Sequence, residues 1–308
     1  MSIPNARRRG WTAARQRRAI AALAILLLAL TLWQSRRPTY TVITRVNPQD
    51  GAVMVWVPAG AFIRGETLGE RLRLGYASRG WRGLLFAVRR AWEPGNNTPA
   101  RRIALDGYWI YRDEVTVAQY RACCTATGRA MPPMPRWGWH EEHPIVNVTW
   151  ADAAAYAAWA GAALPTEAQW EKAARGADGR IYPWGNRWDR EKCNGYADSN
   201  PAGGGSLHTR TAPVGSYPAG DSPYGARDMA GNVWEWCADR YDATSYATAP
   251  ARNPRGPATG AYRVLRGGDW HDAYPYNFRA SYRLNGDPSV MSEGVGFRPV
   301  VTIHAPHP

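Results

Sequence analysis

The residues best suited to chemistry in this chain concentrate in residues 263–283, which read RVLRGGDWHDAYPYNFRASYR. The aromatic side chains offer flat faces for stacking, and the arginines can bind carboxylates or phosphates in a bidentate manner. The acids and the histidine add hydrogen-bond donors and acceptors. This mixture is typical of a binding surface. The predicted ligand-binding residues are Asp269, Trp270, His271, Asp272, Tyr274, Tyr276, Arg279 and Arg283.

Two other interpretations of this segment stay open. The stretches RASYR and GFRPV could be structural strands whose arginines pair with buried acids, which would leave only part of the face free. Adjacent His271 and Asp272 could also hold non-haem iron, although a facial triad needs a third ligand that the sequence does not place.

A candidate cation site lies in residues 228–241, DMAGNVWEWCADRY. Asp228 and Glu235 carry hard carboxylate oxygens, while Gly231 and Val233 can turn backbone carbonyls towards the same point. Calcium accepts this mixture of ligands. The alternative is a buried tryptophan hairpin in which Glu235 pairs with an arginine.

The cysteines give no zinc-type spacing. They are Cys123, Cys124, Cys193 and Cys237. Adjacent cysteines rarely bridge each other, so the sequence permits one disulfide without requiring it. Small buried apolar side chains are an equal alternative.

Short helices and strands must position these residues. Capping residues predict helices from Thr116 to Gly128, from Thr149 to Gly161 and from Thr166 to Gly176. The predicted strands are Val53–Val57, Gly107–Tyr111, Val233–Cys237, Tyr262–Leu265, Arg279–Tyr282 and Phe297–Val301. With 31 Gly and 24 Pro in 308 residues, the chain is expected to be an α+β fold rich in loops.

The excess of positive charge lies mainly at the N-terminal end. The net charge is +13, eight arginines occur before residue 38, and no acidic residue precedes Asp50. A charge excess confined to a terminus does not indicate a nucleic-acid-binding surface, and we expect no nucleic-acid partner.

An apolar segment, Ala19–Trp33, lies between those arginines. At ~1.5 Å per residue it spans about 22 Å, which suits a short signal anchor or the core of a signal peptide. No small-residue cleavage site follows, so we expect an uncleaved anchor, with a cleaved signal as the alternative. Six arginines precede the segment and two follow it, which predicts a cytoplasmic N-terminus and an extracytoplasmic domain at the cell membrane. The predicted layout is 1–18 basic cytoplasmic N-terminus, 19–33 transmembrane segment, 34–50 linker and 51–303 globular domain.

From Met54 to Val301 the chain resembles the formylglycine-generating-enzyme-like domain of the sulfatase-modifying-factor family. The resemblance rests on VWVPAGAFIRG, DGYWIYRDEVTVAQYRACCTATGR, HPIVNVTWADAAAYAAWAG, ALPTEAQWEKAARG, YPWGN, TAPVGSYPAG, YGARDMAGNVWEWCADRY, RVLRGGDW and GFRPV, in this order. It implies a variant C-type-lectin fold with bound cations. It also implies calcium at the Asp228–Glu235 site and, with a looser match, a second site at Asn194 and Gly195 with Ser206 and His208.

The resemblance also implies that this chain lacks the copper ligands of the family's oxidases. The family's oxidases bind copper through two cysteines after the RGG turn, and this chain has no cysteine after Cys237. Asp272 lies near the first of those cysteine positions, and Asp269 stands where the oxidases carry serine. Copper(I) requires soft thiolate ligands, so copper is not expected here.

We therefore expect a membrane-anchored, extracytoplasmic domain that binds a protein or a small polar ligand without copper oxidase activity. The alternative is a divergent metal-dependent oxidase of the formylglycine-generating or non-haem-iron type, with iron as its metal, that acts in protein or sulfatase maturation.

Overall fold

The computed structural model describes residues 40–75, 80, 82, 95–195, 210–272 and 274–302. The chain divides into two units, Met1–Thr39 and Tyr40–Pro308, and the first of them lies outside the described residues. The predicted anchor Ala19–Trp33 and the residues Ser206 and His208 therefore lie outside the description. Within the described ranges, no helix is long and apolar enough to cross a membrane.

Local capping defines three helices, as the sequence predicts. They are α1 (Val117–Thr127), α2 (Trp150–Trp159) and α3 (Glu167–Arg175). The hydroxyl of the threonine before each helix accepts a hydrogen bond from the backbone N–H of N3. The N3 side chain in turn accepts a hydrogen bond from the backbone N–H of the threonine. A short helix α4 (Ser245–Thr248) and the helical residues 68–75 add to these.

The strands form three small sheets. Their bounds are β1 (Thr44–Val46), β2 (Val53–Val57), β3 (Gly60–Arg64), β4 (Arg101–Leu105), β5 (Tyr108–Tyr111), β6 (Trp234–Arg240), β7 (Arg263–Arg266), β8 (Leu284–Gly286), β9 (Val295–Gly296) and β10 (Val300–Thr302). The strand orders are β1-β2-β5-β10, β3-β4 and β8-β7-β6-β9. All pairs are antiparallel except β6 with β9. The result is the mixed, loop-rich α and β fold that the sequence predicts.

Three sequence expectations differ from this structure. The predicted strand Phe297–Val301 is wrong over residues 297–299, and only its last two residues belong to β10. Residues 44–46, placed in the linker by the sequence, form β1 and pair with β2. Arg279–Tyr282 is a turn, so the predicted strand there is wrong. The guanidinium of Arg266 donates to the carbonyl oxygens of Ala280, Ser281 and Tyr282 at 2.5–3.1 Å. The Arg266 side chain thus supplies the hydrogen bonds that a neighbouring strand would supply to these carbonyls.

Aromatic side chains fill the core beneath α1 and α2. Tyr120 and Tyr156 stack with ring centroids 5.6 Å apart, and Phe297 lies edge-on to both. These three side chains are at most 3% exposed. Their packing joins the two helices to the chain that leads into β10.

Helix α3 is buried on nearly every side, including its charged residues. The described residues include a buried network of four arginines and three glutamates, each at most 3% exposed. The members are Arg64, Arg175, Arg266, Arg283, Glu70, Glu167 and Glu171. We call this set the α3 charge network. It connects α3 to β3, to β7, to residues 68–75 and to the chain before β8.

Glu167 is the most strongly paired acid of the α3 charge network. It accepts hydrogen bonds from Nε and Nη2 of Arg283 at 2.6 and 2.8 Å and from Nη2 of Arg64 at 2.8 Å. Burial alone would raise the pKa of Glu167, but Arg283, Arg64 and Arg266 lower it to about 2. The carboxylate therefore stabilises the folded state at neutral pH.

We expect Glu167→Gln to lower the free energy of unfolding by about 3–5 kcal/mol, because it leaves buried arginines without their counter-charge. The measurement is urea denaturation of the domain at neutral pH. The matched control is Glu141→Gln, whose partner Arg121 is 43% exposed. Exposed pairs contribute less than about 1 kcal/mol. Equal losses in the two variants would contradict this view of the α3 charge network.

Candidate functional site

Two glycines set the start of the candidate binding segment. Strand β7 ends at Arg266, and Gly267 and Gly268 follow with φ angles of 105° and 82°. Side chains rarely tolerate these angles. A Cβ atom on Gly268 would also lie 2.9 Å from a ring carbon of Phe278. The turn therefore needs glycine, and it directs the following residues over the end of the sheet.

Asp269 and Asp272 organise the loop that follows this turn. Asp269 Oδ1 accepts from the His271 backbone at 3.0 Å, and Asp272 Oδ2 accepts from the Asp269 backbone at 3.0 Å. Asn277 Nδ2 donates to the other oxygen of Asp272. These bonds come from neutral donors, and no ion pair joins either aspartate to a basic side chain within the described ranges.

Burial changes the acidity of both aspartates, and at Asp272 the charge of His271 opposes the change. Burial raises the pKa of Asp269 to about 7, with a further contribution from the charge of Asp272. It also raises the pKa of Asp272, although hydrogen bonds from the Asp269 backbone and from Asn277 oppose the rise. Asp269 therefore changes its charge near neutral pH.

Tyrosines cover the outer side of the loop. Tyr274 and Tyr276 are 54% and 46% exposed, and their rings stack with centroids 5.3 Å apart at an interplanar angle of 13°. Tyr282 lies at 61° to Tyr276 at 5.6 Å, and Trp234 lies 6.1 Å from Tyr282. His271 is exposed beside Trp270. Asp269, His271, Asp272, Tyr274 and Tyr276 are partly or largely exposed residues of this one loop, and we call this set the tyrosine–aspartate face.

Three of the predicted binding residues serve the scaffold instead. Trp270 is 5% exposed, and its Nε1 donates to the Glu293 carbonyl at 3.1 Å. Arg279 forms an ion pair with Glu66. Arg283 is 1% exposed and belongs to the α3 charge network. Buried or half-buried glutamates pair with both arginines, and ligand binding by Arg279 and Arg283 stays a prediction.

The predicted calcium residues are held by other contacts. Both oxygens of Glu235 accept hydrogen bonds from Arg298 at 2.7 Å, and Oε2 also accepts from Trp170 at 2.8 Å. Asp228 Oδ2 accepts from the Gly215 backbone at 2.6 Å, and burial raises the pKa of Asp228 to about 6. Glu235 therefore matches the arginine-paired alternative.

The remaining predicted cation ligands are backbone positions around the same turn. The carbonyl of Asn194 accepts from the Asn232 backbone at 2.7 Å, and Gly231 packs so closely that a Cβ would lie 2.4 Å from that carbonyl. The Val233 backbone N–H donates to buried Glu114 at 3.3 Å. A Cβ on Gly195 would lie 2.5 Å from the Phe278 ring. These contacts explain the small residues without a metal.

Acidic and histidine side chains do not assemble into a metal centre within the described ranges, where no three His, Cys, Asp or Glu residues are grouped suitably. The observed contacts of Glu235 do not fit the calcium ligand set inferred from the sequence. Calcium at either position, and iron at His271 and Asp272, stay predictions.

Fold and site together define a domain of the sulfatase-modifying-factor type. The chain belongs to the sulfatase-modifying factor enzyme 1-like domain family, whose model matches residues 39–303. It is 48% identical to a formylglycine-generating enzyme of Streptomyces coelicolor over 170 residues, covering 51% of this chain and 52% of that protein. A formylglycine-generating enzyme of Mus musculus is 31% identical over 256 residues, covering 65% and 67%. An inactive Cα-formylglycine-generating enzyme 2 of Bos taurus is 38% identical over 165 residues, covering 51% and 50%.

The chain thus spans about half the length of the Streptomyces and Bos taurus relatives. Among solved structures, PvdO of Pseudomonas aeruginosa is similar with a TM-score of 0.67 and 25% identity, covering 86% of this chain and 98% of PvdO. Variable protein 1 of Treponema denticola has a TM-score of 0.62 at 20% identity, covering 86% and 99%, a likeness of fold alone.

Sequence reasoning counted Asn277 among the donors and acceptors of this segment, and in the structure it holds Asp272. It left two contributing residues out: Tyr282 packs against Tyr276, and Trp137 packs edge-on against Trp270 at 5.5 Å. Tyr282 belongs to the quoted segment, so its side-chain type was a usable signal. Trp137 is distant in the chain, and no local pattern indicates its position.

We expect Asp269→Asn to gain stability relative to the parent by about 1 kcal/mol or more as the pH rises from about 4 to 7. The pKa of Asp269 is raised from 3.8 to about 7 in the folded protein, so ionisation there destabilises the parent. Denaturation at a series of pH values measures the difference.

In the control variant, stability relative to the parent is expected to change with pH in the opposite direction. Hydrogen bonds from Ser289 lower the pKa of exposed Asp287. Its carboxylate therefore favours the folded state above its ordinary pKa, and Asp287→Asn should lose relative stability as the pH rises. A pH-independent difference between Asp269→Asn and the parent would rule out the buried, unpaired state of Asp269.

Proposed function

We propose that residues 51–303 form an extracytoplasmic binding domain, held at the cell membrane by Ala19–Trp33, that engages a protein or a small polar ligand through the tyrosine–aspartate face. The observation that carries this proposal is the pair of stacked, exposed tyrosines in the loop that also holds the half-buried Asp269 and Asp272. Exposed tyrosines offer a large contact area at a low entropic cost, and such residues dominate many interfaces.

In this segment, side-chain exposure distinguishes residues available for binding from residues needed for folding. Tyr274 and Tyr276 stack on each other and are about half exposed, with Tyr276 also contacting Tyr282, whereas Asn277 and Phe278 are buried. A folded chain gains little by exposing two stacked rings. This arrangement therefore favours a role in recognition.

The state of the thiols supports the absence of copper oxidase chemistry. All four cysteines are free and buried, and burial raises the pKa of each. A thiolate that exchanges with a substrate thiol needs an accessible, acidic cysteine. In the segment after the RGG turn, Asp272 lies near the first cysteine position that the resemblance implies, and carboxylates do not replace thiolates as copper(I) ligands.

One relative carries a name that agrees with this proposal, because the Bos taurus protein is called an inactive formylglycine-generating enzyme. The alternative is a divergent metal-dependent oxidase, and the 48% identity to the Streptomyces coelicolor enzyme favours it. The two functions differ in whether a thiol is consumed, so a direct assay separates them.

We expect Tyr274→Ala and Tyr276→Ala each to weaken capture of a native envelope partner or ligand at least about tenfold while changing stability by less than about 1 kcal/mol. Pull-downs from envelope extracts and thermal melts are measured side by side. Tyr262→Ala is the matched control, since Tyr262 is 47% exposed outside the face. A buried aromatic ring would instead cost about 3–5 kcal/mol. Such a loss, or unchanged capture in both variants, would refute the proposal.

We also expect the purified domain to leave a sulfatase-type cysteine peptide unchanged in the presence of copper and oxygen, because no accessible thiol is available to bind copper(I). Mass spectrometry of the peptide is the measurement. The Streptomyces coelicolor enzyme, assayed in parallel, serves as the reference for conversion. Copper-dependent conversion of the peptide thiol to an aldehyde would favour the oxidase alternative.

A further inference from the structure

An aromatic face lies on one side of the sheet β1-β2-β5-β10. In the strand register Trp56 stands opposite Trp109, and Trp109 stands opposite Val301. The Trp56 backbone N–H donates to the Ile43 carbonyl at 2.9 Å, which places these two residues opposite each other. Residues two positions apart on a strand, and residues opposite each other on neighbouring strands, share one side of a sheet. We call the following set the tryptophan face: Ile43, Arg45, Trp56, Trp109 and Val301.

Helices α1 and α2 cover only one end of this side of the sheet. At that end Met54 and Tyr111 are 1% exposed and belong to the core that contains residues of both helices. At the other end Ile43 is 48% exposed, and Trp56 and Trp109 are partly exposed. The tryptophan face is therefore open to the surroundings although its members are mostly apolar.

The exposed apolar area continues around the edge strand β1. Val42 and Val46 lie on or beside this strand and are 52% and 60% exposed. Single exposed apolar residues are common, but a contiguous group of them is typical of a surface that contacts a protein or a membrane.

The tryptophan face also carries a positive charge. The guanidinium carbon of Arg45 lies 4.7 Å from the centroid of the Trp109 ring, and the Trp56 and Trp109 rings are 5.2 Å apart. Within the described ranges, no ion pair joins Arg45 to an acid, and the face itself contains no acidic residue. Tryptophan favours the headgroup level of a bilayer, and arginine is attracted to anionic lipids.

The chain enters the domain next to this face. The Tyr40 hydroxyl accepts a hydrogen bond from the Ala177 backbone at 2.9 Å, and its ring lies edge-on to Tyr224 at 5.0 Å. Tyr40 is thus fixed to the domain, and Ile43 follows three residues later. Residues 34–39 lie between the proposed anchor and Tyr40, and the seven steps from Trp33 to Tyr40 span at most about 25 Å. A chain anchored through Trp33 therefore keeps this face within reach of the bilayer.

We propose that the tryptophan face rests on the headgroup region of an anionic phospholipid bilayer. This inference rests on the membrane anchoring in the proposed function and specifies which surface of the domain meets the lipid. The indole rings and Ile43 remove apolar area from water, while Arg45 adds attraction to lipid phosphates. A second copy of this chain fits less well, because a symmetric contact would bring two unpaired Arg45 side chains into one interface, where like charges disfavour association.

The test uses the full chain in nanodiscs made of equal amounts of phosphatidylglycerol and phosphatidylcholine. The four native cysteines are buried, so a fluorophore can be attached selectively to a cysteine introduced by Ile43→Cys. A nitroxide carried near the lipid headgroup quenches this fluorophore only at short range. We expect quenching of at least about twofold. The matched control is Val290→Cys, an exposed valine in the turn after β8, and it should be quenched by less than about one fifth.

Arg45→Gln, added to the labelled Ile43→Cys chain, should lower the quenching towards the value measured in phosphatidylcholine alone. Arg102→Gln removes an exposed arginine of β4, outside the face, and should leave the quenching unchanged. Thermal melts verify folding, and the comparison between the two labelled positions does not depend on either arginine variant.

Equal quenching at positions 43 and 290 in a chain that stays with the membrane after carbonate washing would overturn this inference and leave the anchor in place. Quenching that is unchanged by Arg45→Gln would overturn the assignment to anionic lipid. Protection of the position-43 label from aqueous iodide in discs that hold two chains, without quenching by the lipid nitroxide, would assign the face to a second copy instead. Release of the chain by carbonate would refute the anchor and this inference together, whereas the tyrosine–aspartate face is tested separately by its own variants.

Discussion

The buried pairing of arginines with glutamates on α3 is the interaction on which the rest of the structure depends. Charged groups are rarely buried because desolvation is costly, and they persist only with full compensation. Here Glu171 alone accepts from Arg175, Arg266, the Gly65 backbone and Tyr246 at 2.7–3.0 Å. Each partner comes from a different part of the chain. The network therefore fixes how strands β3 and β7 approach α3. Apolar contacts alone are less directional and would define this arrangement less precisely.

That geometry also sets the position of the binding segment. Arg266, the last residue of β7, uses its guanidinium both on Glu171 and on the carbonyls of residues 280–282. The loop that starts at Gly267 is consequently held at both ends by the same side chain. The loop also carries scaffold residues of its own, because Trp270 and Phe278 are buried. Scaffold and exposed residues therefore alternate within one segment of 21 residues.

Local signals in the sequence predicted the helices well, and nonlocal pairing explains where prediction failed. Thr116, Thr149 and Thr166 cap helices through bonds to residues three positions away, which a sequence displays directly. The partners of Arg279 and Arg283 are 213 and 116 positions away. The sequence shows that both residues are arginines, but it does not show which acids they pair with. The sequence predicted a strand over the turn at residues 280–282 for the same reason. The carbonyls of this turn accept hydrogen bonds from a distant side chain, which the local sequence does not indicate. The composition of the segment predicted a binding surface, while its division into surface and scaffold required the structure.

The two kinds of acid in this domain show how one fold separates stability from recognition. Glu167, Glu171 and Glu235 are buried and matched by arginines, so their charges are neutralised within the protein. Asp269 and Asp272 are half-buried and are held by neutral donors, with His271 as the charged neighbour of Asp272. Burial raises the pKa of both, so their ionisation costs folding free energy. The buried arginine–glutamate pairs of the α3 charge network supply stability that allows this local cost to persist.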